Sequence, residues 1–161
     1  MSVKIIVLSD SHGKREYVRR ICEMHRDADY IFHAGDGVFD LVVAHGMKAK
    51  RVCVCGNCDC FAGDIADDEK TVIEGITFFL THGYNYGVKM SLERLESKAR
   101  NVHADVVIFG HTHNPIEKCI PCDDGKYRYL FNPGSVREGS FGLISIKNGS
   151  ILFSHGNVKN V

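Results

Sequence analysis

The sequence predicts an α/β fold with mixed β-sheets and with helices on the outside. Short apolar runs indicate buried strands, and segments with apolar residues at steps of three and four indicate helices. Strands and helices alternate along the first half of the chain, which is typical of parallel α/β winding. The length of 161 residues predicts one domain over residues 1–161 that buries a sizeable core.

The first half of the chain predicts three parallel strands separated by two helices. Val3–Leu8 is an apolar run that indicates a buried strand, and helical spacing of apolar residues follows from Lys14 to about Arg26. Asp29–His33 predicts the second strand, and a short helix is expected from Val38 to about His45. Arg51–Cys55 predicts the third strand.

The second half predicts hairpins around one further helix and one further buried strand. Glu74-Gly75 forms a tight turn between Thr71–Ile73 and Ile76–Leu80. Residues 88–102 carry apolar side chains at steps of three and four, which predicts an amphipathic helix, and Asp105–Phe109 predicts a strand. Two more turn signals divide the remainder into predicted hairpins: Asp124-Gly125 and Asn148-Gly149.

Charge and hydropathy argue against two classes of partner. Lysine plus arginine number 20 and aspartate plus glutamate number 20, so the formal net charge is zero. Binding to nucleic acid by phosphate neutralisation would need a basic excess, and we expect no such role. The N-terminal apolar run is too short to span a membrane and lacks the context of a signal peptide. We therefore expect a cytoplasmic protein without a membrane partner.

Seven cysteines allow two interpretations. A disulfide framework is not expected in a reducing cytosol. Cys119 and Cys122 have the C-x-x-C spacing of structural zinc sites, and four more cysteines lie close together: Cys53, Cys55, Cys58 and Cys60. The favoured interpretation is that Cys53 and Cys55 alternate along a buried strand as small hydrophobic residues, because no second pair converges convincingly on the first.

Five short clusters each place an oxygen or imidazole ligand beside a glycine or at a predicted strand end. They are Asp10-Ser11-His12, Gly35-Asp36, Gly56-Asn57, His82-Gly83 and Gly110-His111-Thr112-His113. Ligands of open α/β sheets bind beyond the carboxyl ends of the strands, so we expect these side chains to converge. The glycines at 13, 35, 37, 56, 83 and 110 are expected to let the backbone turn sharply there.

The clusters hold seven candidate metal ligands, namely two aspartates, one asparagine and four histidines. This donor set favours manganese, iron, nickel or zinc at an open catalytic site. Two cations roughly 3.5–4 Å apart can clamp a phosphoryl group and lower the pKa of a bridging water. Taken singly, each of these residues could have a structural role in place of metal binding. Asp10 or Asp36 could cap a helix, and a lone histidine is usually structural.

These motifs resemble those of the calcineurin-like metallophosphoesterases, most closely the small bacterial and archaeal phosphodiesterases that lack a cap domain. The resemblance runs from Asp10 to about Ser135 and includes Asn132-Pro133-Gly134-Ser135 and Gly56-Asn57-Cys58-Asp59. It implies a four-layer α/β/β/α sandwich of two mixed sheets, with a dinuclear metal centre at one edge. A small phosphodiester or nucleotide-like molecule is the implied substrate.

The resemblance also implies a role for each ligand. Asp10, His12 and His113 would hold the first metal; Asn57, His82 and His111 would hold the second; Asp36 would bridge them. Both ions are expected to be divalent, with manganese favoured and nickel, zinc or iron as alternatives. A bridging water or hydroxide would attack phosphorus in line with the leaving oxygen, so Asp36, Asn57 and His111 also serve the catalysis.

Cys58 departs from the wider superfamily, in which many members have histidine directly after the motif asparagine. That histidine is thought to protonate the leaving group, and a positioned general acid contributes roughly 10²- to 10⁴-fold. A neutral thiol is a poor substitute. We therefore expect a preference for good leaving groups such as aryl esters.

Two alternative functions and an oligomeric state also have to be considered. A catalytically silent interaction scaffold, for which the retromer subunit with this fold is the example, would tend to lose metal-site histidines. A zinc-ribbon-like module would bind zinc through the cysteines. Relatives of this size often pair, so the resemblance also implies a homodimer.

Overall fold

The computed structural model describes residues 1–59 and 61–161, so Cys60 and its part in a cysteine cluster lie outside the described residues. The strands are β1 Ser2–Leu8, β2 Tyr30–His33, β3 Lys50–Cys53, β4 Asp68–Ile73, β5 Ile76–Thr81, β6 Val106–Ile108, β7 Pro115–Pro121, β8 Tyr127–Pro133, β9 Ser140–Lys147 and β10 Ser150–Asn157. The α-helices are α1 Arg15–Met24 and α2 Glu93–Asn101. Short 3₁₀ helices span Val38–Ala44, Tyr84–Tyr86, Val136–Glu138 and Val158–Asn160.

The strands form two five-stranded mixed sheets. The first has the order β10-β9-β1-β2-β3, in which β1, β2 and β3 are parallel and β9 and β10 are antiparallel additions. The second has the order β4-β5-β6-β8-β7, with β5, β6 and β8 parallel between two antiparallel edge strands. The parallel winding predicted for the first half of the chain is present in the first sheet. The second sheet also contains three parallel strands, which the sequence did not predict.

Successive residues of a strand face opposite sides of its sheet, so each sheet contributes apolar side chains to two layers of the core. Ile5 and Val7 of β1 join the apolar cluster that also contains Phe78 and Leu80 of β5, so this cluster lies between the sheets. Ile6, the intervening residue of β1, joins the cluster formed with α1. The equivalent outer cluster of the second sheet packs against α2. This arrangement confirms the expected four-layer α/β/β/α sandwich.

Several predicted elements differ in extent; β4, for example, begins at Asp68 and not at Thr71. The helix predicted for residues 88–102 begins only at Glu93, because Gly87 adopts the left-handed conformation and its carbonyl oxygen accepts from the amides of Met90 and Ser91. Val88 is nevertheless buried in the cluster beneath α2. The third strand ends at Cys53 rather than Cys55. In the described part of the chain, no helix has the length and apolar character needed to cross a bilayer.

The topology brings the carboxyl ends of several parallel strands to one edge of the sandwich. β1, β2 and β3 end there in the first sheet, and β5, β6 and β8 end there in the second. Each of the five ligand clusters follows one of these strands in the chain, as predicted. This edge is therefore where the candidate ligands must be sought.

Candidate metal centre

Asp10 carries the most informative oxygen at this edge. Its side chain is fully buried, and its Oδ2 accepts hydrogen bonds from Ser9 Oγ at 2.6 Å and from the His111 amide at 3.0 Å. Its Oδ1 has no hydrogen-bond partner among the described residues. A buried carboxylate oxygen without a partner is costly, so such an oxygen points to a missing ligand.

Three imidazole nitrogens surround that oxygen. Asp10 Oδ1 lies 3.2 Å from His113 Nε2, 3.7 Å from His12 Nε2 and 3.9 Å from His82 Nε2. The Nε2 atoms of His12 and His113 are 3.4 Å apart. Carboxylate oxygen and imidazole nitrogen directed at one point are the donors that transition metals prefer, so these residues fit a divalent cation.

Asp36 divides its two oxygens between backbone and histidines. Oδ1 accepts a hydrogen bond from the Cys58 amide at 2.7 Å, whereas Oδ2 lies 3.3 Å from His82 Nε2 and 3.9 Å from His12 Nε2. Burial alone would raise the pKa of Asp36, but the hydrogen bonds from His82 and Cys58 hold this pKa well below its usual range. The carboxylate therefore presents one charged oxygen between two histidines.

Six of the seven predicted ligands fall into two compact groups. Asp10, His12 and His113 form one group, in which the ligand atoms lie within 4.8 Å of one another; a second such group consists of Asp36, His82 and His111. Asn57 is exposed and lines, with His82, a cavity of about 320 Å³ beside the second group. Asn57 and His82 thus line the same cavity at this edge.

His82 is the most firmly oriented of the four candidate-ligand histidines. Its Nδ1 lies 2.7 Å from the Ala34 carbonyl oxygen, so Nδ1 carries a proton and Nε2 faces the carboxylates and His111 Nδ1 at 3.2 Å. Burial would lower the pKa of His82, but the hydrogen bond to Asp36 and the charges of Asp10 and Asp36 raise it. A carbonyl partner of this kind fixes the tautomer of a metal-binding imidazole.

Left-handed backbone conformations are concentrated at the site. Five candidate ligands have positive φ angles: Asp10 (52°), His12 (44°), Asp36 (57°), His111 (67°) and His113 (62°). Elsewhere Glu74 and Asn148 adopt such angles in hairpin turns before a glycine, and His103 adopts one just after the end of α2. His12 lies in a turn closed by a hydrogen bond from the Lys14 amide to the Ser11 carbonyl, which explains its angle. The other four angles are unusual for residues that carry a side chain, and such conformations persist mainly at functional sites.

The site glycines serve two different purposes. Gly35 and Gly83 have φ angles of 93° and 97°, as the prediction of sharp turns requires. Gly56 and Gly110 do not have positive φ angles and are needed for close approach instead. A Cβ at Gly56 would overlap Oδ1 of Asp36, and a Cβ at Gly110 would overlap the Ser9 hydroxyl.

Two carboxylates outside the predicted ligand set hold the site loops. Asp59 accepts hydrogen bonds from the amides of Asp36, Gly37 and Gly56 at 2.7–2.8 Å and thereby ties two loops together. Asp40 holds the loop that follows β1. It accepts hydrogen bonds from Ser11 Oγ at 2.7 Å, the Gly13 amide at 2.8 Å and Arg15 Nε at 3.2 Å. Asp59 belongs to the motif Gly56-Asn57-Cys58-Asp59, which indicated that it lies at the site but not what it does, and no motif in the sequence includes Asp40.

His33 also supports the loop that follows β1, although no motif in the sequence predicts a role for it at the site. Its Nδ1 accepts from the Gly35 amide at 3.1 Å, so the proton is on Nε2, which lies 3.1 Å from Ser11 Oγ. Complete burial lowers the pKa of His33 to about 4, against the opposing charges of Asp59, Asp10 and Asp40. The imidazole is therefore neutral in the folded protein at neutral pH.

The segment Asn132-Pro133-Gly134-Ser135 supports the site from β8. The buried Asn132 donates to the Gly110 carbonyl at 3.0 Å and to Thr112 Oγ1 at 3.1 Å. Ser135 Oγ donates to the Asp10 carbonyl at 2.8 Å. This segment is therefore more than a turn, because it holds the backbone of two ligand-bearing loops.

The cysteines do not assemble in the described residues. No group of three candidate metal ligands in residues 1–59 and 61–161 contains more than one cysteine. Cys53 packs beside the apolar cluster under α1, and burial raises the pKa of its thiol to about 11. Cys55 lies beyond the strand, where its thiol donates to Asp67 Oδ1 at 3.0 Å. Cys53 thus fits the hydrophobic reading, whereas Cys55 does not lie on the strand.

The fold and this edge define an α/β/β/α protein whose carboxylate and imidazole groups fit divalent cations. The chain belongs to the calcineurin-like phosphoesterase superfamily, whose domain model matches residues 3–159. It is 29% identical over 153 residues to YsnB of Bacillus subtilis, named a probable metallophosphoesterase, covering 91% of this chain and 86% of that protein. It is 30% identical over 131 residues to the phosphodiesterase MJ0936 of Methanocaldococcus jannaschii, covering 71% and 75%.

Solved structures show the same fold. A Streptococcus pneumoniae protein described as a predicted phosphoesterase matches with a TM-score of 0.80 and 25% identity over 98% of this chain and 90% of that one. Vps29 of Entamoeba histolytica, solved as a complex with zinc, matches with a TM-score of 0.74 and 21% identity over 96% and 99%. The second likeness concerns the fold alone.

Proposed function

We propose that this chain is a metal-dependent phosphodiesterase that acts on a small or nucleotide-like phosphodiester through a dinuclear centre. The observation that carries the proposal is Oδ1 of Asp10, which is buried, has no hydrogen-bond partner among the described residues and is faced by three histidine nitrogens. Membership of a phosphoesterase family supports the reaction class. The relative named as a phosphodiesterase supports the choice of diester.

The two ligand groups supply one cation site each. Asp10, His12 and His113 would hold the first ion, and His82 and His111, with Asn57 from the neighbouring loop, would hold the second. Asp36 would be shared by the two ions; its Oδ1 is engaged by the Cys58 amide, whereas its Oδ2 faces His12 and His82. Two divalent cations, when bound, activate a water nucleophile and neutralise charge on the phosphoryl oxygens.

The protein's own groups position this chemistry. The Ala34 carbonyl keeps the proton of His82 on Nδ1, so that Nε2 is directed into the site. Asp59 and Asp40 fix the loops that carry the carboxylates. Cys58 follows Asn57 at the rim, where many superfamily members have histidine, so the leaving oxygen lacks a strong side-chain acid and aryl esters are the favoured substrates.

Three finer features belong to the same proposal. Manganese is the proposed ion, because carboxylate, imidazole and amide donors suit it, with nickel, zinc and iron as alternatives. The protein is proposed to act in the cytoplasm as a single domain over residues 1–161. We further propose a homodimer, which light scattering on the purified protein tests directly.

The test of function uses protein stripped of metal by a chelator. Hydrolysis of bis(p-nitrophenyl) phosphate and of p-nitrophenyl phosphate is measured after adding manganese, nickel, zinc or magnesium. We expect metal-dependent hydrolysis that favours the diester. Equal activity with and without chelator, or hydrolysis of the monoester alone, would contradict the proposal.

A matched pair of variants separates the site from general effects of charge. Asp10→Asn removes the buried carboxylate, whereas Asp124→Asn removes a carboxylate from an exposed hairpin turn. Activity should be lost in the first variant and retained in the second. Loss in both variants would show that the assay reports something other than this centre.

A protein-interaction scaffold is the alternative function. The likeness to Vps29 supports it only through the fold, since the identity is 21%. All seven candidate ligand positions are occupied by ligand residue types, and six of them form compact groups, which favours catalysis. Binding of metal without hydrolysis of any diester would favour the scaffold.

A further inference from the structure

A third group of candidate ligands lies at the same edge and contains sulfur. The ligand atoms of His12, Asp36 and Cys58 lie within 4.8 Å of one another. His12 also belongs to the first carboxylate–imidazole group, and Asp36 also belongs to the second. An ion held by this third group would therefore share one ligand with each of the other two.

The backbone holds Cys58 beside Asp36. The Cys58 amide donates to Asp36 Oδ1 at 2.7 Å, and the next residue, Asp59, binds the Asp36 amide at 2.7 Å. Gly56 allows this approach, because a Cβ there would overlap Oδ1 of Asp36. The sulfur is thus placed by the contact between two loops, which positions it in advance of any ion.

Cys58 differs from its neighbours in the chain. Burial raises the pKa of the Cys53 thiol to about 11 and, together with the hydrogen bond to Asp67, raises that of the Cys55 thiol to about 11. Neither joins a group of three candidate ligands in the described residues. Cys58 does so, and its side chain is exposed, so ions from solvent can reach the sulfur.

We propose that Cys58 is a metal ligand for thiophilic divalent cations such as Zn²⁺, Co²⁺ and Cd²⁺, which bind to His12, Asp36 and Cys58 together. Binding displaces the thiol proton to solvent, so carboxylate and thiolate neutralise the two positive charges of the ion. Soft sulfur ligands favour these ions over Mn²⁺ and Mg²⁺.

The proposal rests on the proposed metal centre and sharpens its selectivity. An ion on the sulfur group takes His12 from the first carboxylate–imidazole group and Asp36, which the two ions would share, from the dinuclear arrangement. Zinc is therefore expected to compete with manganese and to hold the protein in a less active form. Manganese, which binds thiolate weakly, leaves His12 and Asp36 for the dinuclear arrangement.

The direct test is absorption spectroscopy of the cobalt-substituted full chain. A cobalt–thiolate bond gives a near-ultraviolet charge-transfer band, which oxygen and nitrogen ligands do not give. We compare the unaltered protein with Cys58→Ser and with Cys119→Ser, which removes an exposed cysteine on β7 as the matched control. The band should appear in the unaltered protein and in Cys119→Ser and be absent from Cys58→Ser.

Zinc affinity gives a second readout. Cys58→Ser should bind zinc roughly tenfold or more weakly, because even the loss of an outer-shell partner costs about 10- to 100-fold in metal affinity. Bound cobalt without a charge-transfer band in the unaltered protein would overturn the proposal, as would an undiminished band in Cys58→Ser.

Diester hydrolysis with manganese by the unaltered protein is measured in parallel. Hydrolysis without a cobalt–thiolate band would overturn the role of Cys58 and leave the phosphodiesterase proposal standing. A band without hydrolysis would support the role of Cys58 and count against the phosphodiesterase proposal.

Discussion

The candidate centre has two halves, which differ in how their histidines are held. The first half consists of Asp10, His12 and His113, and the second half consists of Asp36, His82 and His111. The carboxylates do not differ, since Asp10 and Asp36 are both buried and hydrogen-bonded. In the second half, one histidine, His82, is 3% exposed and is oriented by the Ala34 carbonyl. In the first half, His12 is 21% exposed and His113 is 37% exposed. Across the described part of the chain, the side-chain hydrogen bonds of these two histidines are limited to their mutual contact.

In the proposed centre, the second half thus has a histidine that is oriented before any ion binds, whereas the histidines of the first half would be oriented by their ion. A ligand held by an outer partner loses less freedom on binding metal, and outer partners are worth about 10- to 100-fold in affinity. The second half should therefore retain its cation more tightly than the first. The buried oxygen of Asp10 remains costly until the first half is filled.

The largest expected effect comes from removing one histidine from each half. His82→Ala should lower diester hydrolysis by about 10³-fold even with excess manganese, because one cation supplies several kcal/mol of stabilisation. His113→Ala should lose activity at limiting manganese and regain most of it at high manganese. Initial rates across a manganese titration measure both effects, and recovery of the two variants at the same concentration would refute the difference between the halves.

A smaller effect concerns the buried support of the first half. The pKa of His33 is about 4 in the folded protein and 6.5 without burial, so between these values the unfolded chain binds more protons. Stability contributed by neutral His33 is therefore present above about pH 6.5 and is lost as the pH falls towards 4. We expect a loss of about 2–3 kcal/mol between about pH 7 and about pH 4.5.

Urea unfolding of metal-free protein at several pH values measures this loss. His33→Gln provides the control, because glutamine does not titrate, and other titrating groups are common to both proteins. The difference in unfolding free energy between the two proteins should change with pH in this window. A constant difference would show that His33 is not held neutral by burial.

The smallest effect compares the two carboxylates that support the loops. Asp59→Asn should weaken metal retention by the second half, and Asp40→Asn should weaken it in the first half, each by roughly tenfold. The cause is loss of the anionic acceptor for three hydrogen bonds in each case. The rate of manganese release to a chelator is measured for both variants. Each variant should accelerate the release of a different one of the two ions, and acceleration of the same ion in both variants would contradict the assignment of Asp59 to the second half and Asp40 to the first.

Much of the fold could be predicted because the strands are apolar and follow one another regularly. Val3–Leu8 predicts β1 almost to the residue, since a buried parallel strand is apolar on both faces. The start of α2 could not be predicted, because Val88 and Leu92 continue the helical spacing across a turn. Their burial beneath α2 explains the spacing without a helix.

The residues of the candidate site could likewise be predicted only in part. Asp10, Asp36 and His111 could be predicted because each follows a strand that ends at the common edge. Asp59 and His33 could not, because they act through backbone amides and a serine hydroxyl. Such contacts depend on the approach of separate loops and leave no spacing in the sequence.

The most direct measurement is the manganese content of the purified protein after saturation and removal of unbound ion, compared between the unaltered protein, Asp36→Asn and Asp124→Asn. Oδ2 of Asp36 lies between histidines of both halves, so its charge should serve both ions. We predict two manganese ions per chain in the unaltered protein and in Asp124→Asn, and fewer than one in Asp36→Asn. One ion per chain in the unaltered protein, or two in Asp36→Asn, would contradict a dinuclear centre bridged by this carboxylate.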